Sequence, residues 1–242
     1  MSASTEDNIP RTVGDTPKGG SVLGFYAAKG SPRPPRIACG EGVYLWDEGG
    51  RRFLDATAGA VVANIGHSNP RVLAAMQEQA ARVSFAYPRF FESEQSIQLA
   101  DRVCALAGEG FDRAFFVSGG SEANESAIKL ARQYAVVTGQ PKRAKVISRN
   151  PSYHGSTLGA LAVTGDAHTQ SIYGPMVREM PKVSAPLSYR VPAGHTAESH
   201  AMACADELET TIVREGADTV LAFIMEPIGG LSTGAAVVPA AY

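Results

Sequence analysis

Cysteine is scarce here. Cys39, Cys104 and Cys204 are the three in 242 residues; they are odd in number, far apart and never paired as CxxC. That pattern argues against a disulfide framework or a cysteine zinc site. Surplus charge of either sign is also missing. A formal net charge of -2 lacks the basic excess on which nucleic-acid binding by phosphate neutralisation depends. No apolar run approaches the roughly 20 residues of a membrane-spanning helix. The opening MSASTEDNIP is polar and acidic, without a basic-then-apolar signal segment. Two nucleotide fingerprints are absent: there is no GxxxxGK[ST], and Gly108-Glu-Gly110 lacks the third glycine of GxGxxG. Internal repeats and low-complexity tracts are absent as well. The expectation is a soluble, cytoplasmic globular protein with no metal, nucleic-acid or membrane partner. At 44% hydrophobic and 19% charged residues, a chain this long buries a sizeable core without staples. Its length predicts one or two domains at about 150 residues each.

What is present falls into three stretches. Residues 1–35 are rich in Gly, Ser, Thr and Pro and read as a loose leader. Residues 36–109 read as a small part of strands and helices. Ile37 to Asp55 is β-like, with Gly42–Trp46 and Arg52–Leu54 forming a hairpin around the turn-rich Asp47-Glu-Gly-Gly50. Asn69-Pro70 opens a helix over 71–83, and a second helix spans 94–106. From residue 110 to 242 strands alternate with helices, which predicts an α/β domain with a largely parallel sheet. Its expected elements are a strand at 114–117, a helix at 121–137 and a strand at 144–148. A short helix at 155–163, a mainly irregular stretch at 165–195, a helix at 198–214 and an apolar strand at 219–225 follow.

Three segments of this α/β part can carry chemistry. In Phe115-Phe-Val-Ser-Gly-Gly-Ser-Glu-Ala-Asn-Glu125, a strand ends, two glycines turn the chain and a helix begins. First-turn amides lack partners, the helix dipole is positive there, and glycine admits close approach of an anion, so Gly120 and Ser121 suit a phosphate. The same residues also make a plain capped turn, with Ser121 as N-cap and Asn124 or Glu125 in the first turn. Asn150-Pro-Ser-Tyr-His-Gly155 follows a strand. Open α/β sheets bind ligands at the carboxyl ends of their strands, which puts Tyr153 and His154 where a ring can stack on a flat cofactor. Glu226-Pro227 ends the apolar strand and points its carboxylate to the same crevice. Taken singly, Tyr-His-Gly is also an ordinary loop, and a strand-end carboxylate is also an ordinary solvated group.

In their order and spacing these segments resemble the class-III pyridoxal-phosphate aminotransferases of fold type I. Further matching stretches are Gly42-Val-Tyr-Leu-Trp-Asp47 to Phe53-Leu-Asp55, Gly59 through Gly66-His67 to Pro70, and Ala127-Ile-Lys-Leu-Ala-Arg132. The resemblance covers residues 36 to 242. It implies a fold-type-I large domain, incomplete here, with part of a small N-terminal α+β domain. It implies pyridoxal 5'-phosphate as cofactor, with Gly120 and Ser121 on its phosphate and Tyr153 stacked on its ring. His154 would line the same site, and Glu226 would lie near the pyridine or gate the substrate pocket. Val61 and Tyr87 fall where family members place substrate-pocket residues. The implied reaction moves an amino group between an amine or amino acid and a 2-oxo acid, in a homodimer.

The chain also departs from that family. Its lysines are Lys18, Lys29, Lys129, Lys142, Lys145 and Lys182, and none follows Glu226, where the family places its Schiff-base lysine. The aspartate that pairs with the pyridine nitrogen and the distal arginine are also missing. The chain therefore reads as the N-terminal portion of an aminotransferase, inactive alone, with an unpaired sheet edge. Two alternatives stand beside this reading. One is a non-catalytic truncated fragment. The other is an α/β-hydrolase, because Gly119-Gly-Ser-Glu-Ala123 differs by one residue from the GxSxG elbow and would make Ser121 the nucleophile.

Overall fold

The computed structural model describes residues 34–230 and 232–242. The expected leader therefore lies almost wholly outside the described residues. The chain divides into two compact units at Ser93/Glu94. This division falls one helix before the expected boundary near residue 110. The change of texture at 110 is one of composition, since the first strand after it begins at Lys145.

The first unit opens with a three-stranded antiparallel meander, β1 (Ile37–Glu41), β2 (Tyr44–Asp47) and β3 (Arg52–Leu54). The expected hairpin is its β2–β3 half. Its turn is held by Asp47, whose carboxylate accepts from the amides of Gly49 and Arg51 at 3.0 and 2.8 Å. A short irregular turn, α1 (Ala58–Val61), follows, with left-handed backbone at Ala58, Gly59 and Val61. Then comes α2 (Pro70–Arg82), capped by Asn69 through the amides of Arg71 and Val72. His67 ties this segment back to the sheet. Its main chain exchanges two hydrogen bonds with Gly42, and its Nε2 lies 2.9 Å from Asp55 Oδ2. The amide of Gly59, then the His67 ring, hold the Asp55 carboxyl below its ordinary value.

The second unit begins with α3 (Glu94–Ala107) and α4 (Gly120–Val137). Strand β4 (Lys145–Asn150) follows, then α5 (Leu158–Val163), α6 (Ala167–Tyr173) and β5 (Lys182–Ser184). The long helix α7 (Ala197–Glu215) leads to β6 (Val220–Ile224). The sheet order is β5-β4-β6 and both pairings are parallel. Central β4 buries Val146, Ile147, Ser148 and Arg149 in succession, as a strand covered on both faces does. Ile147, Val183 and Val220 form the core, with Leu208, Ile212 and Phe223 packed against it. Each of β5 and β6 has one neighbour, so their outer edges are free among the described residues.

Two expectations change. Residues 114–117 form no strand; they have no partner among the described residues, and Phe115 is 80% exposed. The stretch 165–195 is less irregular than its four prolines suggest, since it contains α6 and β5. No helix of the described residues is long and apolar enough to cross a membrane.

Candidate active site

Parallel pairing brings the carboxyl ends of β4, β5 and β6 to one edge of the sheet. The N-terminus of α4 faces the loop leaving β4. Gly119 is extended and provides no side-chain cap, so the first amides of this 18-residue helix keep their donors. A Cβ placed on Gly120 would meet no atom within 4 Å, which leaves open space beside those amides. Ser121 Oγ accepts from the amide of Ser156 at 3.0 Å. Its own hydroxyl hydrogen has no acceptor among the described residues and can be donated outward. Backbone donors, a hydroxyl donor and the positive end of a helix dipole form a donor set suited to a phosphate group.

The β4–α5 loop lies against the first turns of α4. Asn124 Nδ2 donates to the carbonyl of His154 at 2.6 Å. Glu125 Oε1 accepts from Thr157 Oγ1 at 2.7 Å and from the amide of Gly159 at 3.0 Å. Gly155 has φ of +135°, and a Cβ there would sit 2.5 Å from Ser121 Oγ, so glycine is required at this approach.

Tyr153 is anchored by its backbone, while its side chain remains exposed. Its amide donates to Glu226 Oε2 at 3.0 Å. The other carboxylate oxygen of Glu226 accepts from Gly230 N at 3.3 Å. Arg149 donates to the Glu226 carbonyl. Glu226 thus acts as a bracket that joins the loop after β6 to the loop after β4. His154 is buried, with its amide donating to Thr164 Oγ1 at 3.0 Å. Its Nε2 has no hydrogen-bond partner among the described residues. Burial depresses the His154 pKa, opposed by the Glu226 carboxylate and reinforced by Arg149 and Lys182. The ring is accordingly neutral at pH 7.

Of the residues singled out from sequence, Ser121, Tyr153, His154 and Glu226 are joined through these bonds, and Gly120 borders Ser121 at the α4 turn. Val61 and Tyr87 belong to the first unit. Val61 takes φ of +60°, rare for a β-branched residue, and Tyr87 packs edge-on to Phe90 at 5.6 Å. Arg149 and Thr164, which no sequence motif marks, belong to the same network. From sequence, Asn124 and Glu125 stand as first-turn residues of the helix that follows the phosphate turn. The spacing of 121, 124 and 125 does signal one helix face.

The described lysines are occupied elsewhere or exposed. Lys142 pairs with Asp218 and Lys145 with Glu215. Lys182 donates to the carbonyl of Ala162 at 2.8 Å, and Lys129 is exposed on α4. Among the described residues no imidazole lies within hydrogen-bond distance of Ser121 Oγ, whose partner is the Ser156 amide, so the base that a hydrolase nucleophile needs is missing there.

A family model described as aminotransferase class-III matches residues 25–242. An uncharacterized aminotransferase of Schizosaccharomyces pombe is 38% identical over 214 residues, or 88% of this chain and 46% of that protein. The diaminobutyrate–2-oxoglutarate transaminase of Halomonas elongata is 36% identical over 207 residues, 84% of this chain and 44% of that one. Among solved structures, an (S)-enantioselective omega-transaminase from Thermomicrobium roseum shares 41% identity with a TM-score of 0.80. The match covers 85% of this chain and 46% of that chain. The omega-transaminase from Pseudomonas jessenii in complex with PMP shares 32% identity with a TM-score of 0.85, covering 92% and 50%. The chain spans about half the length of the curated relatives it matches. The fold is that of the fold-type-I transaminases, matched over their N-terminal portion. These matches replace the hydrolase reading, and the chain belongs to the class-III aminotransferase family.

Proposed function

We propose that this chain supplies the phosphate-binding and ring-stacking half of a pyridoxal-phosphate-dependent transaminase. The observation that carries this reading is the α4 turn, where uncapped amides, the open space beside Gly120 and the outward Ser121 hydroxyl converge. Gly120 and Ser121 hold the phosphate. Tyr153 offers its exposed ring as a stacking face, and neutral His154 lines the floor beneath it. Glu226 fixes the backbone that carries Tyr153 and acts on the ring through that placement. When bound, the cofactor supplies an electron sink for the carbon being deprotonated. Val61 and Tyr87 contribute to the substrate pocket.

In the whole protein the reaction moves an amino group from an amine or amino acid to a 2-oxo acid. The proton-carrying lysine is not among the residues of this chain's site, so the chain alone is expected to be inactive. A homodimeric, cytoplasmic whole protein belongs to the same proposal.

The test is equilibrium dialysis of pyridoxal 5'-phosphate against the 242-residue chain. Inorganic phosphate should compete. Gly120→Ala, whose methyl enters the open space without touching protein, should weaken binding by about tenfold. The same variant should keep the wild-type stability to within about 0.5 kcal/mol. Binding indifferent both to phosphate and to Gly120→Ala would overturn the assignment.

A further inference from the structure

Helix α5 has an N-cap residue that does not cap it. Thr157 occupies the cap position but makes no side-chain cap bond. Its hydroxyl is donated to Glu125 Oε1 at 2.7 Å, and the same oxygen accepts the α5 amide of Gly159 at 3.0 Å. A carboxylate from α4 therefore takes the place of the missing cap. Negative charge at a helix start is favourable, and hydrogen bonds to a charged acceptor are the stronger kind. Gly159 makes the contact possible, since a Cβ there would lie 2.5 Å from both carboxylate oxygens.

The consequence reaches Tyr153. Between the Glu226 bracket on the Tyr153 amide and the Glu125 anchor at Thr157 and Gly159 the loop is short. Along it the carbonyl of His154 meets Asn124 and the amide of Ser156 meets Ser121. Side chains 121, 124 and 125 share one face of α4, and the first of them belongs to the phosphate turn. The phosphate turn and the aromatic ring are thus parts of one braced assembly, with Glu125 as its only charged anchor on the α4 side among the described residues.

We propose that Glu125 is a positioning residue that sets the Tyr153 ring at a fixed offset from the phosphate turn, so that ring stacking, and not phosphate capture, depends on it. This rests on the functional reading above.

Separate probes isolate the two halves of the ligand: inorganic phosphate for the turn, and pyridoxal 5'-phosphate for turn and ring together. For the 242-residue chain, Glu125→Ala should leave phosphate affinity within about twofold and weaken pyridoxal 5'-phosphate by about tenfold. Glu125→Gln, which retains an acceptor oxygen, should recover most of that loss. Tyr153→Ala should lose as much, and the double variant little more, because both remove the same interaction. Equal loss of both probes in Glu125→Ala, or full additivity with Tyr153→Ala, would overturn the proposal. Amide hydrogen exchange of the unliganded chain provides a second measurement. Glu125→Ala should speed exchange at Tyr153, Ser156 and Gly159 by about tenfold or more while β4 keeps its protection. Unchanged exchange there refutes the brace whether or not the wild type binds either probe. A wild type that binds neither, with exchange altered as expected, defeats the cofactor reading and leaves the brace standing.

Discussion

Replacing Gly155 by alanine should destabilise the second unit severely, and the cost divides into two terms. The first is conformational. A φ of +135° lies where L side chains are strained, at roughly 1–3 kcal/mol. The second is steric. The new methyl would approach Ser121 Oγ at 2.5 Å, Ala160 Cβ at 2.9 Å and Ser121 Cα at 3.0 Å. None of the three yields easily. Ser121 Oγ is held by the Ser156 amide, Ala160 is fully buried, and Ser121 Cα is helix backbone. Overpacking of this kind costs about 1–3 kcal/mol. Together the terms give about 2–6 kcal/mol, a large part of the 5–15 kcal/mol typical of a domain. Urea unfolding followed by far-ultraviolet circular dichroism should show a midpoint lowered by about 1–3 M at an m-value near 2 kcal/mol/M. Gly139→Ala is the control. It also has positive φ, +77°, but a Cβ there meets nothing within 4 Å. It should show the conformational term alone. If Gly155→Ala costs no more than Gly139→Ala, the close approach of the β4–α5 loop to α4 is refuted.

Two further predictions address the core and the buried histidine. Ile147→Ala removes a fully buried side chain between Val183 and Val220 and should cost about 2–5 kcal/mol in the same assay; a loss below 1 kcal/mol would mean β4 is not the central strand. For His154, burial lowers the native pKa below the ordinary 6.5. Below pH 6.5 the unfolded chain takes up a proton that the native ring resists. Stability therefore falls with decreasing pH across that window and is regained on return to neutrality. Wild type minus His154→Gln, measured by denaturation at pH 7.5, 6.5 and 5.5, isolates this contribution from the nearby charges of Glu226, Arg149 and Lys182, which are present in both proteins. A difference that does not change with pH would refute the buried neutral imidazole.

The sequence made some elements readable and concealed others for physical reasons. Helices α2, α4 and α7 announce themselves through long apolar periodicity and caps such as Asn69 and Thr196. Strand β6 is apolar without interruption. Strand β5 is concealed because it has three residues, only Val183 is buried, and Pro181 and Pro186 flank it. Helix α6 is concealed because its seven residues bury nothing, and its signal is the single cap Asp166. Residues 114–117 have strand-like composition, but composition supplies no partner, and pairing decides whether a strand forms.

The site divides along the same line. Positions at element ends are readable: Tyr153 and Glu226 follow strands, and Ser121 opens a helix although the strand expected before it does not form. Their connections do not, because a carboxylate can solvate, cap its own helix or reach another element, and spacing does not choose among these. Glu125 reads locally as a first-turn residue of α4, yet its bonds go to Thr157 and Gly159. Glu226 reads as a free strand-end carboxylate, yet both oxygens are spent on the amides of Tyr153 and Gly230. Each carboxylate brings negative charge to the cleft while hydrogen bonds from neutral groups offset it. The two glutamates therefore serve first as ties between loops, Glu125 Oε1 to the start of α5 and the Glu226 oxygens to the amides of Tyr153 and Gly230, and hydrogen bonds from neutral donors offset part of the charge each one brings.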